Sequence, residues 1–571
     1  MIQVSNEFKK AIKESERRIK GYVEVLYDLP NITVTPSVNA TSTYTPTSEI
    51  SNGVRVENLY GSLDYLPLDG SYITMGDTNT NIGYISDELF ENLTNPTVTL
   101  SFSSTTINGI TMYFRENPPT NMTLNYSDGT SQTITNDENT VQVIFDSPKT
   151  LTNVSITIND MMYQDRKIYI MEIDLGVTQV YKDQDLIEFT VDEEVNKLVE
   201  EVPINETNII LNNMSDLFNP LNPKGIVPYL SENTLIKPYI GVLTETQGVE
   251  YVKMGEFYFD SYTNNSDATT TLVGKNIIKR IEKEELNDNN EFNFFQTVIT
   301  ESEFNLYIEN FNYEIENLNW THNIPAFALN TSNLLEFLKQ MAFGQWNLIS
   351  ANRNSKIKIY QIDNEIKTQL SKFELINDVN YKEIDKINTI KLITKKSGGS
   401  IDVSDREIFR TTVTLKENTQ IFLVKMDAPQ LLLARLSQSG GTSANIVSQG
   451  QYMAFVKVVG TVGSDVELIF SSNKDFVPYV ANSIKTNGKK PEVALEFDSF
   501  MNYLPKQYID NSNILDITPS YEMSFDYNGD PSLEAGDYIN VETPYGYKPL
   551  FIQKNRFKFD GGLSGSIEGV E

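Results

Sequence analysis

The chain has 571 residues, more than one hydrophobic core usually supports, so we expect about three to five domains. Lys and Arg total 46 against 77 Asp and Glu, and the formal net charge of -31 would repel a nucleic-acid backbone, so sequence-specific nucleic-acid binding is not expected. Cysteine is absent, which excludes disulfide bonds, thiol catalysis, iron–sulfur clusters and cysteine-ligated zinc.

The chain shows no targeting or membrane-spanning pattern. Its start, MIQVSNEFKK, lacks the apolar core of a signal peptide, and no segment reaches the roughly 18 consecutive apolar residues of a membrane span. We therefore expect no integral membrane contact, and a protein that stays where it is made or leaves by lysis or as part of a particle.

A short amphipathic helix and then a strand are predicted near the N-terminus. Residues 7–19 place apolar side chains near helical spacing, with Ser5 or Asn6 as the cap: Phe8, Ala11, Ile12 and Ile19. Residues 22–27 alternate in polarity and are rich in β-forming types, which indicates a strand. We assign residues 1–35 and 177–300 to a first β-domain that is split by an insertion.

Residues 36–176 are predicted to form the inserted β-sandwich. A turn at 127–129 and short strand-like runs indicate it, at residues 97–102, 111–114, 122–126, 141–145 and 154–158. Its opening at 70–73 (GSYI) and its close at 168–176 (IYIMEIDLG) resemble discoidin-like, galactose-binding-like modules. The resemblance implies loops that often bind sugars, although many such modules are purely structural.

The clearest predicted helix begins after Asn333. Asn333 and Glu336 form a capping box, and Gly344 stands where a C-terminal cap belongs, around an apolar face of Leu334, Leu335, Leu338, Met341 and Ala342. With strands at 346–349 and 356–360, residues 301–400 are predicted to be an α+β domain.

The remaining sequence is predicted to be β. A turn is expected at residues 395–399 (KKSGG), and short strands such as 411–415 and 466–470 make 401–500 an additional β-segment. Residues 501–571 form a C-terminal β-domain. The predicted fold class is therefore mainly β with a smaller α+β part, in several domains.

Two regions resemble the tail-hub proteins of phages from Gram-positive hosts. Residues 202–278, with NNMSDLFNP at 212–220 and MGEFYFD at 254–260, are similar to the first domain of that family. Three C-terminal segments are similar to its closing barrel, namely 529–541 (GDPSLEAGDYINV), 551–554 (FIQK) and 557–565 (FKFDGGLSG). The sandwich and residues 401–500 are additions to the family pattern, and no attached peptidase or lysozyme domain is recognised.

The resemblance implies a structural tail hub or baseplate subunit of a phage or phage-tail-like particle, with β-barrel-like hub domains. It implies a homotrimeric ring that joins the tail tube to the central spike and anchors other baseplate proteins. It also implies a place in the virion tail for a protein made in the host cytoplasm, with roles in host cell attachment and genome ejection. Antiparallel β-domains repeated around an axis can pack their edges into closed rings, which suits this role.

No catalytic, cofactor or metal site is expected. His322 is the only histidine, so a multi-histidine metal site cannot form, and no Ser motif accompanies it. Residues 526–537 carry oxygens at several positions of a calcium loop, but Pro531 replaces the Gly that its sharp turn requires, so a strand–turn–strand connection is predicted. No motif singles out a glycosidase pair among the acidic residues.

Two other functions stay open at this point. One is that the inserted sandwich binds host cell-wall glycan, with Tyr60, Tyr65 and Tyr72 as candidate stacking residues, although Tyr suits subunit interfaces equally. The other is a tail-associated cell-wall hydrolase. Net negative charge would also suit a channel lining along which DNA slides without adsorbing.

Overall fold

The computed structural model describes residues 1–27, 34–41, 50, 84–115, 117–196, 202–222, 225–245, 248–265, 267–286, 300–309, 311, 313–316, 320, 333–344, 347–383, 389–425, 430–436, 442–449, 453–486, 494–497 and 521–570. The fold is mainly β, with several sheets and a smaller helical part, so the predicted fold class is confirmed.

The N-terminal helix, α1, spans Asn6–Ala11 and is shorter than predicted. Ser5 is its N-cap, because its Oγ accepts a hydrogen bond from the backbone N–H of Phe8 at 2.9 Å. The predicted extension to residue 19 is wrong, since Arg17 donates instead to three backbone carbonyls of the C-terminal region. Strand β1 (Ile19–Tyr27) follows and contains the predicted first strand.

One 14-stranded sheet forms the body of the protein. Besides β1 it contains β9 (Val177–Lys182), β10 (Leu186–Glu194), β11 (Glu206–Asn212), β12 (Leu235–Thr244), β13 (Gly248–Lys253), β14 (Phe257–Asn264), β15 (Thr269–Lys275), β19 (Ile366–Leu370), β20 (Asn380–Glu383), β28 (Tyr521–Tyr527), β29 (Tyr538–Thr543), β30 (Gly546–Phe559) and β31 (Leu563–Val570). The order is β20-β28-β31-β30-β10-β11-β15-β14-β12-β1-β9, with β13 on β12 and β29 between β19 and β30. Among the described residues this path closes into no barrel, although the resemblance implied barrel-like domains.

Strand β10 joins the two regions that resemble tail hubs, because it pairs with β11 of the first region and with β30 of the second. Strands β10 and β30 run antiparallel from the Phe189–Phe559 pair to the Glu194–Lys554 pair. Buried residues of both regions, such as Ile209 and Phe557, belong to one hydrophobic core. Strands β19 and β20 lie in the range assigned to the α+β domain but pair with β29 and β28, and the domain boundaries stay predictions.

The inserted region forms a seven-stranded sheet around its own core. Its strands are β2 (Thr35–Val38), β3 (Tyr84–Leu89), β4 (Thr97–Phe114), β5 (Pro119–Tyr126), β6 (Ser131–Thr135), β7 (Thr140–Met161) and β8 (Lys167–Asp174), with a short 3-10 turn at Phe90–Asn92. Four of the predicted runs are wrong as separate strands, because β4 and β7 each contain two of them. Polar residues in the middle of β4 interrupt the apolar pattern of the sequence, but the strand continues through them and pairs with β7 with register shifts.

The helical part contains α2 (Ile277–Ile281), α3 (Glu301–Glu309) and α4 (Leu334–Gly344), with β16 (Ile315–Glu316), β17 (Leu348–Ala351) and β18 (Ile357–Tyr360). Asn333 caps α4 as predicted, because its Oδ1 accepts hydrogen bonds from the backbone N–H groups of Leu335 and Glu336. A second 3-10 turn lies at Val227–Tyr229 in the first β-region.

The additional β-segment contains two small sheets. The strands are β21 (Thr389–Thr414), β22 (Thr419–Lys425), β23 (Gln430–Leu436), β24 (Ser443–Gln449), β25 (Met453–Val459), β26 (Asp465–Thr486) and β27 (Ala494–Phe497), in the orders β23-β26-β21-β27 and β22-β25-β24. The turn predicted at 395–399 is wrong, because β21 continues through it. The two glycines are accommodated by a register shift between Ser397 and Ser400.

Candidate functional site

The residues weighed for catalysis or metal binding are not brought together. His322 lies outside the described residues. In the candidate calcium loop, Asp530 Oδ1 accepts hydrogen bonds from the backbone N–H and the hydroxyl of Ser532, at 3.0 and 2.7 Å, and Asp537 Oδ2 accepts one from the Glu534 N–H. These carboxylates hold the turn itself. Within the described ranges, no cluster of three or more His, Cys, Asp or Glu residues could hold a metal ion.

Arg353 joins three parts of the chain. It lies between β17 and β18, and its Nε donates to Glu193 Oε1 on β10 at 2.6 Å, with both side chains 6% exposed. Its Nη1 and Nη2 donate to the carbonyl oxygens of Pro531 and Leu533, at 2.5 and 2.8 Å. We call these four residues the Arg353 junction. A planar guanidinium can bond several acceptors at once, so one side chain fixes the α+β part and the C-terminal loop to the large sheet.

Two carboxylates, those of Glu193 and Glu534, interact with the positive charge of Arg353. Burial raises the pKa of the Glu193 carboxyl, and the guanidinium of Arg353 opposes that rise. Burial also acts to raise the pKa of Glu534, but Arg353 and Lys358 outweigh it and hold that pKa below its usual value. The junction is therefore a buried ion pair with a second carboxylate beside it.

The same strand carries a second set of ion pairs on its other face. Glu188, Asp192 and Glu194 of β10 face Lys558, Arg556 and Lys554 of β30, at 2.9, 3.1 and 3.3 Å respectively. These side chains are between 27% and 58% exposed. We call this set the β10–β30 ladder, and it joins the C-terminal region that resembles tail hubs to the strand that lies beside the first such region.

Two cavities of the described part differ in volume and in lining. The cavity beside the Arg353 junction has a volume of about 40 Å³, well below the roughly 300 Å³ of small-molecule pockets. A cleft of about 490 Å³ is lined in part by Glu309 and Glu314. Both glutamates are exposed, and Glu314 forms an ion pair with Lys356 at 2.7 Å.

The 212–222 loop, which holds the predicted NNMSDLFNP turn, presents apolar side chains on an ordered backbone. Phe218 is buried in the core of the large sheet, and its backbone N–H donates to Asn213 Oδ1 while its carbonyl accepts from Asn264 Nδ2. Met214 and Leu221 are 82% and 88% exposed. Apolar groups held in place on a fixed loop lose little entropy on binding, so they favour protein contact.

In the inserted region, the candidate stacking residues Tyr60, Tyr65 and Tyr72 lie outside the described residues. An exposed aromatic of the described part is Tyr163, at 54%, beside Met162 at 40%. The backbone N–H of Tyr163 donates to Asn117 Oδ1 at 2.8 Å, which fixes this loop.

Sequence reasoning missed the Arg353 junction. Arg353 stands in a polar turn, ANRNSK, that predicts exposure, and Glu193 stands in a run of acids, DEE. No local pattern distinguishes either residue from a solvated one, because their burial depends on segments more than 150 residues apart: |i−j| is 160 for the Arg353–Glu193 bond.

No protein-family model matches the chain, and no curated protein matches it. Solved structures that it resembles include phage tail proteins. The 43 kDa tail protein of prophage MuSo2 from Shewanella oneidensis is 9% identical, with 69% of this chain and 96% of that chain covered and a TM-score of 0.40. A tail protein from Neisseria meningitidis MC58 is 8% identical, with 68% and 93% covered and a TM-score of 0.37.

A further likeness covers a smaller share of the chain. The family 32 CBM of NanJ from C. perfringens, solved in complex with galactose, is 13% identical, with 27% of this chain and 99% of that chain covered and a TM-score of 0.18. All three TM-scores lie below 0.5, so we draw no functional argument from these likenesses. In the described part of the chain, no helix has the length and apolar character needed to cross a membrane.

Proposed function

We propose that the chain is a structural tail hub or baseplate subunit that assembles into a ring of three copies. The supporting observation is that the two regions resembling tail hubs, far apart in sequence, lie in one sheet, where β10 pairs with β11 of the first region on one side and with β30 of the second on the other. The buried Arg353 junction adds a third part to the same body. A continuous sheet that is also held by a buried ion pair suits a protein that transmits force and presents surfaces to other subunits.

The proposed ring joins the tail tube to the spike and binds other baseplate proteins in the virion tail. In that position it would take part in host cell attachment and genome ejection. The 212–222 loop is the proposed contact with a second copy. It carries one charged residue, Asp216, in a chain of net charge -31, so like-charge repulsion between copies is weak there.

The test is the mass of the purified full-length chain by analytical ultracentrifugation, together with electron microscopy of particles carrying a labelled subunit. We expect a species of three times the 64.8 kDa chain mass and a label at the tail tip. A chain that stays monomeric and never copurifies with tail particles would contradict the proposal.

A matched pair of variants tests the loop contact. The double substitution Met214→Ser and Leu221→Ser should weaken self-association about tenfold or more, because it removes two exposed apolar anchors. The control, Met162→Ser in the inserted region, should leave association unchanged. If both variants associate like the parent chain, another surface forms the contact.

A second candidate function is binding of host cell-wall glycan by the inserted region. The observation that favours it is the exposed ring of Tyr163 on a fixed loop, with the carboxylate of Asp160 and the amide of Gln164 in the same segment. An aromatic face beside polar groups suits a sugar ring. Glycan-array binding by the full chain, lost in Tyr163→Ala, would support it, and an unchanged array signal would contradict this site.

We also propose that the chain is not a cell-wall hydrolase. Zymography of the full chain on purified cell wall tests this, with Glu309→Gln and Glu314→Gln as variants of the cleft of about 490 Å³ that both glutamates line. A clearing zone from the parent chain would overturn the proposal. Loss of that zone in either variant would then place the activity in the cleft.

A further inference from the structure

Asn276, just before α2, is a buried amide without a partner. The residue is 5% exposed, and among the described residues neither its Oδ1 nor its Nδ2 has a hydrogen-bond partner. Its position is the N-cap of α2, where Asn normally accepts from a backbone N–H, yet its side chain makes no capping bond. Its backbone N–H is satisfied by the carbonyl of Asn205 at 3.0 Å. Helix capping therefore does not explain the side chain.

Asn276 lines the cavity beside the Arg353 junction. This cavity of about 40 Å³ lies where α2, the end of β10, the β17–β18 turn and the loop before β29 meet. One water needs roughly 10–15 Å³ by the same kind of measure, whereas small organic ligands need roughly 300 Å³ or more. The space therefore fits a very small ligand.

The charges around the cavity indicate a neutral ligand. Its lining contains four carboxylates, and each has a cationic partner: Glu193 with Arg353, Glu194 with Lys554, Glu256 with Lys253, and Glu534 with the amino group of Met1. Lys358 also lines it. No uncompensated negative charge remains to hold a cation. A carboxamide offers one acceptor and two donors, which matches a molecule that both donates and accepts.

We infer that this cavity binds ordered water, held by the Oδ1 and Nδ2 atoms of Asn276. The bound water bridges the first β-region to the α+β part and completes the hydrogen bonding of the joint. A buried amide left without any partner is strongly unfavourable, and bridging water removes that penalty at small entropic cost. The inference does not depend on the proposed tail function.

The direct test is a crystal structure of the full chain at a resolution that shows ordered water. We expect density within about 2.7–3.2 Å of both Asn276 side-chain atoms. A dry cavity, or an Asn276 side chain bonded only to protein atoms, would overturn the inference. This measurement needs no variant and so does not depend on how any variant folds.

A substitution gives a second test, because bound water and an unsatisfied amide predict opposite changes in the amide-exchange rate. Asn276→Leu keeps the approximate size but cannot bind water, so it should raise the amide-exchange rate of α2 and β17 about tenfold if water is bound. If the amide is simply unsatisfied, the same change should slow exchange. Asn208→Leu on β11, outside the cavity, is the matched control. Slower or unchanged exchange in Asn276→Leu would contradict the inference.

Discussion

The two faces of β10 carry ion pairs of the same chemistry in opposite surroundings. Glu193 follows Phe189 and Val191 on the inward face and meets Arg353 in the interior. Asp192 alternates to the outward face and meets Arg556, where the two side chains are 40% and 58% exposed. A shift of one residue along a strand therefore changes a solvated contact into a buried one. What differs is desolvation, which makes the loss of one buried partner much more costly than the loss of an exposed one.

The largest expected effect is that of Arg353→Met. It leaves Glu193 buried without its cation and removes the Arg353 bond to the Pro531 carbonyl, so we expect a loss of about 3–5 kcal/mol in the free energy of unfolding. Denaturant unfolding, with amide exchange of β10 as a local probe, measures it. The double variant Arg353→Met and Glu193→Met should recover much of the loss, since no buried charge then remains.

The free energy of unfolding that is lost in Arg353→Met, its stability deficit, should also depend on pH. Burial already raises the pKa of Glu193, and without the guanidinium that rise is opposed only by the hydrogen bond from the Ala535 backbone N–H among the causes found for it. A carboxyl whose folded pKa lies above its unfolded value of about 4.3 favours the fold below that pH and loses this contribution as pH rises through the folded pKa. The deficit should therefore be smaller near pH 4 than near pH 7. A deficit that shrinks toward neutral pH would contradict a buried, uncompensated Glu193.

Arg556→Met applies the same substitution to the exposed pair of the comparison. Because the two side chains are 58% and 40% exposed, we expect a loss below about 1 kcal/mol, and one that disappears at high ionic strength. Parallel unfolding of Arg353→Met and Arg556→Met at low and high salt measures the difference. Equal losses in the two variants would contradict the expectation that the buried pair contributes more to the free energy of unfolding than the exposed pair.

Local signals predicted the local structure well. Ser5 and Asn333 cap their helices because a cap depends on neighbours two or three residues away. The turn at 127–129 forms where predicted, with Gly129 at φ +84, a conformation that favours glycine. These features, and the mainly β class, could be read from composition and spacing.

Features that depend on distant segments could not be predicted. Residues 97–102 and 111–114 were predicted as separate runs, but both lie in β4, which pairs with β7 along nearly its whole length. The glycines at 398 and 399 indicated a turn, but β26 extends β21 past them. Arg353 and Asn276 belong to polar sequences typical of surfaces, and their burial follows from parts of the chain that only tertiary structure brings together.

A third ion pair, outside the large sheet, shows the effect of hydrogen bonds on a carboxylate pKa without the effect of burial. Asp128, in the predicted turn, accepts from Lys149 Nζ at 2.7 Å and from the Thr130 hydroxyl at 2.6 Å, and these bonds lower its pKa to about 2. Such a carboxylate contributes stability above its unfolded pKa of about 3.9, and this is lost as pH falls through the folded pKa.

Lys149→Met should return the pKa of Asp128 most of the way toward 3.8, as followed by NMR titration of selectively labelled Asp. Asp267 is the internal control, since its pKa is lowered chiefly by the Thr269 hydroxyl and no lysine bonds to it among the described contacts. Its titration should not move in Lys149→Met. If Asp128 also stayed near 2, the backbone and hydroxyl donors of the turn would be sufficient, and hydrogen bonding without a cation would explain the shift at this exposed site.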